Sequence, residues 1–292
     1  MRAASFAVSF AASMETVMPL LERTHAALDR LADLPPLGQL RRQRAEAAFA
    51  KNTDANLFRG IYPSFDAAQA SAPNTRPLGY DNADAAGMYL ERIKRIYPSD
   101  YPVIFWLQKL FAQGQSSVFD LGGHIGIGYY GYQRYLDYPP GLRWTVSDVP
   151  AVMARGMEIA RERDPAGRLS FNGDFRVAEG VDVLLALGVL QYLPDTLAQR
   201  LATLERPPRH IILNLTPLHV LDNGGQDYFT LQSIGTAFCP YRIAAYAPFL
   251  EGFTRLGYQI VDRWQNPDKH CHIAFEPEHS VDVYHGFYLL RG

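Results

Sequence analysis

Residues Val118 to Tyr132 read VFDLGGHIGIGYYGY. A short apolar run meets an acid, Asp120, then the adjacent glycines Gly122 and Gly123, a further glycine at Gly126, and the tyrosines Tyr129, Tyr130 and Tyr132. An apolar run of this length that stops at glycines reads as a buried strand, and the residues after Gly126 as the start of a helix. A strand that ends in glycines and opens into a helix leaves backbone amides unpaired and puts the positive end of the helix beside a ligand.

Working outward, the chain alternates beyond residue 117. Apolar runs occur in SVFDLGG, RWTVSDV, RLSFNGDF, VDVLLALGVL and RHIILNLTPL, and helical segments such as PAVMARGMEIARER and PDTLAQRLATLE lie between them. This alternation predicts a parallel sheet covered by helices on both faces. YQIVDRWQN and SVDVYHGFYLLRG are separated by a Pro- and His-rich loop without a helix, which predicts an antiparallel finish.

Before residue 117 no strand pattern is evident. Residues 1 to about 50 carry apolar positions at helical spacing (Val17, Leu20, Leu21, Leu28, Leu31), broken at Pro35-Pro36. LFRGIYPSFDAAQASAPNTRPLGYDN reads as ordered loop, and AAGMYLERIKRIYPSDYPVIFWLQKLF as two helices divided near Pro98. The expected organisation is a helical N-terminal cap over residues 1–115 and an α/β domain over residues 116–292.

With 292 residues, 48% of them hydrophobic and 20% charged, the chain can bury a substantial core. A net charge of -2 argues against nucleic acid and an anionic membrane surface as partners. No apolar run reaches the roughly 18 residues a membrane span needs. MRAASFAVSFAASMET weakly resembles a signal peptide, but its alanine-rich core runs on into the helical pattern, so a cytoplasmic protein is expected. Cys239 and Cys271 give no disulfide framework, and both are expected to stay reduced. A homodimer is left open.

Two ligand classes exploit a glycine turn of this kind, dinucleotides and S-adenosylmethionine. The dinucleotide fingerprint G-x-G-x-x-G expects an acid about 20 residues further on. Here the first two glycines are adjacent, an acid stands two positions before them, and the next strand-end acid, Asp148, lies further away than that spacing.

FDLGGHIG resembles motif I of the class I S-adenosylmethionine-dependent methyltransferases, D/E-x-G-x-G-x-G, with His124 where the middle glycine usually stands. The likeness continues in order through TVSDVP, NGDF, LLALGVLQYLPD and IILNLTPL. NLFRGIYPSF, GYDN, YPSDYPVIFWL, RWTVSDVPAV, QYLPD, IGTAFCPYR and SVDVYHGFY together resemble a group of methyltransferases associated with surface-polysaccharide or secondary-metabolite gene clusters. The resemblance implies a Rossmann-like fold: a seven-stranded, mostly parallel sheet with an antiparallel last strand. It also implies S-adenosylmethionine as cofactor, held by Asp120, Gly122, Gly123, His124 and Gly126. Asp148 and Val149 would serve the ribose side, Asp174 and Phe175 the adenine, and Leu187 and Gly188 the methionine end. A small polar acceptor, a sugar or a secondary-metabolite intermediate, is the implied substrate, with the N-terminal cap and the loop near Gly224-Gly225 through Tyr241 expected to close over it.

Methyl transfer needs an in-line nucleophile, and a hydroxyl acceptor also needs a base. In many small-molecule O-methyltransferases the fourth-strand motif supplies a histidine; the matching residue here is Gln191, followed by Tyr192. Glutamine is no base, so His219, just after the fifth strand run, is the remaining candidate, its alternative being a loop histidine bonded to backbone. Helical spacing puts Tyr129 and Tyr132 on one face and turns Tyr130 away by about 100° per residue. One of these rings can face a sulfonium, since aromatic faces attract cations; Tyr130 is read as catalytic, and Tyr129, Tyr192 and Asn214 as contacts to the acceptor. His270, Cys271, His272, Glu276, Glu278 and His279 cluster in sequence but lack zinc-ligand spacing, so no metal is expected. Three rivals remain: intramolecular attack on the cofactor releasing methylthioadenosine, a non-catalytic binding module, and a dehydrogenase.

Overall fold

The computed structural model describes residues 37–81 and 93–292. The N-terminal helical pattern and most of the first of the two helices expected on either side of Pro98 lie outside the described residues. The chain divides into two units, residues 1–51 and 52–292. In the first, helix α1 (Leu37–Lys51) begins directly after the proline pair at which the helical pattern was expected to break.

The second unit opens with β1 (Leu57–Tyr62) and the short helix α2 (Phe65–Ala70), where the sequence reads as loop. Ser64 caps α2 by accepting the amide of Ala67. Helix α3 (Tyr101–Ala112) follows, with Pro102 in its first turn, where a missing amide hydrogen costs nothing. β2 (Ser117–Leu121), α4 (Ile127–Tyr132), β3 (Arg143–Ser147), α5 (Pro150–Arg163), β4 (Leu169–Phe171), β5 (Val183–Leu187), α6 (Leu197–Leu201) and β6 (His210–His219) supply the expected alternation. Two strands, β7 (Tyr228–Ser233) and β8 (Phe238–Ala245), precede α7 (Tyr246–Thr254) and the closing pair β9 (Tyr258–Asn266) and β10 (Tyr284–Arg291).

Seven strands form the expected Rossmann-like sheet in the order β4-β3-β2-β5-β6-β10-β9. β2 through β6 pair in parallel, while β10 runs antiparallel to both β6 and β9. The parallel strands read as near-continuous apolar runs because both faces are covered. Val118, Leu185 and Ile212 belong to the core on one side, and their neighbours Phe119, Leu184 and Ile211 to the core on the other.

Two expectations need correction. A strand exists before residue 117: β1 pairs antiparallel with β7, which pairs with β8, and this small sheet joins β6 through Leu218↔Ala244 and His219↔Ala245. The segment from Gly224 to Tyr241, expected as a loop closing over the acceptor, instead contains β7 and the first half of β8. Every residue of these two strands is buried, so they form a fixed wall. The apolar stripe of the sequence is broken there by Thr230, Gln232 and Arg242, which are hydrogen-bonded inside the sheet or beneath it.

Candidate functional site

β2 and β5 are neighbours, yet the chain leaves β2 toward β3 on one side and β5 toward β6 on the other. Open α/β sheets bind ligands in the crevice beyond the carboxyl ends of the strands at such a switch point. A cavity of about 270 Å³ lies there, walled by the loop after β2, the loop after β5 and the small antiparallel sheet.

The glycine turn is shaped by close approach. Gly122 has φ +71°, its amide donates to the Ser147 carbonyl at 2.7 Å, and a Cβ on it would fall 2.4 Å from the Val189 side chain. Gly126 has φ +90° and starts α4. His124, between them, adopts φ 56°, a left-handed conformation that a side chain tolerates at a cost of about 1–2 kcal/mol. Asp148 holds this turn from β3: its carboxylate accepts the amide of His124 at 2.9 Å and that of Val149 at 2.8 Å. Burial raises its pKa, and the two amide bonds oppose the rise.

Asp120 sits under the turn at 1% exposure. One oxygen accepts the Trp144 indole N–H at 3.1 Å, and the other has no hydrogen-bond partner among the described residues. Burial pushes its pKa up to about 7, with the Asp148 charge adding to the rise and the Trp144 bond opposing it. Across the cavity, Leu215 also has a positive φ, 54°. It falls where the β6–β10 register slips between His285 and Phe287, so an extra residue of β6 bulges and turns toward the cavity it lines. Of the three left-handed non-glycine residues among the described residues, His124 and Leu215 border this cavity and Phe275 does not; strain of this kind collects at functional sites.

Of the residues singled out from sequence, Asp120, Gly122, Gly123, His124, Leu187, Gly188, Gln191 and Tyr192 line the cavity. The Gln191 amide donates to the Gly188 carbonyl at 2.9 Å, and its carbonyl oxygen is buried without a partner. Tyr192 donates to Gln232 at 2.9 Å and packs edge-on against Tyr80 and Tyr241. Gly126, Asp148, Val149, Asp174 and Phe175 lie outside the cavity wall. Asp148 and Val149 follow β3, next to the cavity's glycine loop; Asp174 is exposed and caps a turn by accepting the Arg176 amide at 2.9 Å, and Phe175 packs on Phe119.

Four expected contacts are elsewhere. His219 does not line the cavity: its Nε2 donates to the Gln226 carbonyl at 3.0 Å and its Nδ1 accepts the Leu221 amide at 3.2 Å, with burial lowering its pKa. Tyr129 is a core residue whose hydroxyl donates to Asp164 at 2.8 Å. Tyr130 packs in the same core with its hydroxyl buried and its pKa raised by burial to about 12. Asn214 ties β6 to its neighbours, donating to the Ser99 carbonyl and accepting from Trp264 and Asn266. The tyrosine that does reach the cavity from α4 is Tyr132, which donates to Asp100 at 3.0 Å.

Sequence reading missed much of the opposite wall, Asn56, Phe58, Tyr80, Asp100, Gln232, Tyr241 and Tyr284, while Lys269 and His270 reach it from the Pro- and His-rich loop named above. All but Gln232, Lys269 and His270 stand in segments that carry the family resemblance, such as NLFRGIYPSF and SVDVYHGFY, so that signal marked them without assigning a role. Among the described residues no three His, Cys, Asp or Glu side chains are grouped to hold a metal. No helix among them is long and apolar enough to cross a membrane.

No family model and no curated protein matches the chain. Among solved structures, the chain is similar to the N-terminal domain of EvdMO1 with SAH bound, at 14% identity and a TM-score of 0.46, over 68% of this chain and 82% of that one. An S-adenosylmethionine-dependent methyltransferase from Clostridium acetobutylicum matches at 10% identity and a TM-score of 0.44, over 72% of this chain and 98% of the other. The magnesium protoporphyrin IX methyltransferase of Synechocystis, with bound SAH, matches at 13% identity and 0.42, over 73% and 90%.

Proposed function

We propose that this chain is an S-adenosylmethionine-dependent methyltransferase acting on a small polar acceptor. The observation that carries the reading is the switch-point cavity, in which the glycine turn after β2 and the Gln191 loop after β5 face one another. The turn fits the cofactor: Gly122 and Gly123 leave no room for a Cβ, and Asp120 presents an unpartnered buried oxygen beneath them. Asp148 would hold the ribose hydroxyls with the lone pairs its two amide bonds leave free, and Asp174 with Phe175 would border the adenine. When bound, the cofactor supplies an electrophilic methyl group.

The rest is done by this chain's own side chains. Phe58, Tyr192, Tyr241 and Tyr284 wall the acceptor end and exclude water, so that a nucleophile held there meets the methyl group with little solvent to displace. Burial raises the pKa of Tyr241 and Tyr284, whose hydroxyls are 2.7 Å apart, so both stay protonated and serve as hydrogen-bonding groups rather than bases. His270, at the wall, replaces His219 as the imidazole able to take a proton from an acceptor hydroxyl. From the region expected as the cap, residues 1–115, Asn56, Phe58, Tyr80 and Asp100 border the cavity.

The test is product analysis by mass spectrometry with candidate sugar and secondary-metabolite acceptors. The expected product of the cofactor is S-adenosylhomocysteine, formed only with an acceptor present, and Asp148→Ala should abolish both product and calorimetric binding of S-adenosylhomocysteine. Gln191, a non-basic residue where a base commonly stands, favours a second reading, intramolecular attack. Methylthioadenosine formed without acceptor would establish that reading and sink the first.

A further inference from the structure

The wall of the switch-point cavity divides by charge. Among its described lining residues the acids are Asp100 and Asp120, and the one Lys or Arg is Lys269. Asp120 lies under the glycine turn and Asp100 is bonded to Tyr132 at the end of α4, so both acids stand on the cofactor side. Lys269 enters from the loop between β9 and β10. Its backbone is fixed there: the Lys269 amide donates to the Asn266 carbonyl at 3.1 Å, and Cys271 and Val281 exchange amide bonds at 2.7 and 2.9 Å. Cys271 and Ile273 pack in the same core as Phe58, Tyr241 and Tyr284, which wall the acceptor end. Lys269 is half-buried and has no carboxylate within 4.0 Å among the described residues. Its flexible four-carbon stem carries the ammonium over the edge of the cavity from this fixed base. The acceptor end therefore offers a cation and no acid to balance it.

Beside Lys269 the aromatic rings form a continuous strip. Ring centres lie 5.0 Å apart for Phe58 and Tyr241, 5.2 Å for Tyr241 and Tyr192, and 5.0 Å for Tyr192 and Tyr80, each pair edge to face. The strip's donors are used within the wall. Tyr80 donates to Tyr192 at 3.2 Å, Tyr192 to Gln232 at 2.9 Å, and the Gln232 amide to Asn56 at 3.2 Å. The hydroxyls of Tyr241 and Tyr284 bond one another at 2.7 Å. A hydroxyl has one proton to give, so the strip presents ring surface and few donors. A sugar would bring many hydroxyls against it, and each left without a partner is costly. A flat aromatic body packs on such rings without that loss. A carboxylate only accepts hydrogen bonds, which matches the three donors of the Lys269 ammonium.

We propose that the acceptor is an aromatic carboxylate, its ring against the strip from Phe58 to Tyr80 and its charge on Lys269. Lys269 is then the residue that sets specificity. This rests on the methyltransferase reading and narrows its small polar acceptor to one chemical class.

The test is calorimetry on the full chain. S-adenosylhomocysteine is titrated first, and 4-hydroxybenzoate is then titrated into the loaded protein. Three matched probes follow: 4-hydroxybenzamide lacks the charge, trans-4-hydroxycyclohexanecarboxylate lacks the flat ring, and glucuronate is a sugar acid. 4-Hydroxybenzoate should bind at least about tenfold tighter than each, the worth of one charged hydrogen bond. Lys269→Met should remove the advantage of the acid over the amide and leave S-adenosylhomocysteine affinity unchanged, and Lys269→Arg should keep most of that advantage. Failure of S-adenosylhomocysteine to bind the wild type would overturn the methyltransferase reading and this inference with it. Three results would overturn this inference alone. The loaded protein could ignore 4-hydroxybenzoate, or it could bind any of the three probes as tightly. In the third, Lys269→Met would weaken S-adenosylhomocysteine itself, which assigns the lysine to the cofactor's own carboxylate.

Discussion

The carboxyl group of Asp120 lies directly against Gly123: a Cβ built on that glycine would come within 2.4 Å of Oδ2 and 2.5 Å of Cγ. The glycine is therefore required by the acid beneath it and not by backbone conformation, since its φ is not positive. Gly123→Ala forces the buried carboxyl or the turn to move, an overpacking that costs about 1–3 kcal/mol. The expected outcome is a lower thermal transition and at least a tenfold loss of S-adenosylhomocysteine affinity by calorimetry. Wild-type affinity in the alanine variant would show that the turn is not the cofactor cradle.

Asp120 also predicts a pH dependence. Its folded pKa of about 7 stands above the ordinary 3.8 because burial disfavours the charge. Between these values the unfolded chain has released the proton and the folded chain retains it. Stability from this group is thus fully present below about pH 4 and is lost as pH rises to about 7. Asp120→Asn, which cannot ionise, is expected to raise the thermal transition at pH 8 by several degrees. The advantage over wild type should shrink steadily toward pH 4. An equal effect at both pH values would mean that ionisation of Asp120 is not its origin.

How far the sequence carried the fold depended on whether both faces of a strand are apolar. β2, β5 and β6 are covered on both sides, so SVFDL, VLLAL and HIILNL stand out as continuous runs. β1 was hidden because Gly60 takes a positive φ and the register slips between Arg59 and Tyr62, which breaks the two-residue period. At the site, the glycine turn was legible because glycines that end an apolar run mark the point where a strand gives way to a helix. Tyr129 and Asn214 were misread because what they bond is remote in sequence: Asp164 for the tyrosine, and Ser99, Trp264 and Asn266 for the asparagine. Polar residues in apolar runs look alike whether they face a ligand or a partner across the core.

The left-handed conformation of His124 separates backbone strain from side-chain chemistry. Replacing it with glycine relieves roughly 1–2 kcal/mol of strain but restores about 0.4–1 kcal/mol of unfolded-state freedom. His124→Gly should therefore leave stability in urea within about 1 kcal/mol of wild type. His124→Val, β-branched and poorly suited to φ 56°, should lose about 1–3 kcal/mol. If the glycine variant keeps full cofactor affinity, the imidazole contributes nothing beyond the backbone position it occupies.

His219 provides the sharpest test of site against scaffold. Both ring nitrogens are engaged by backbone, Nε2 by the Gln226 carbonyl and Nδ1 by the Leu221 amide, and burial lowers the pKa so that the ring is neutral at pH 7. A histidine fixed in this way closes the turn after β6 and has no nitrogen to offer an acceptor. His219→Ala leaves the Leu221 amide without its partner and the Gln226 carbonyl with the Asn223 side chain alone, and should cost about 1–3 kcal/mol in chemical denaturation. The rate per folded molecule should stay within about threefold of wild type, with an unaltered pH–rate profile. Removal of a general base would instead lower the rate about 10²–10⁴-fold and erase the acidic limb of that profile, and such a loss would return His219 to the catalytic site.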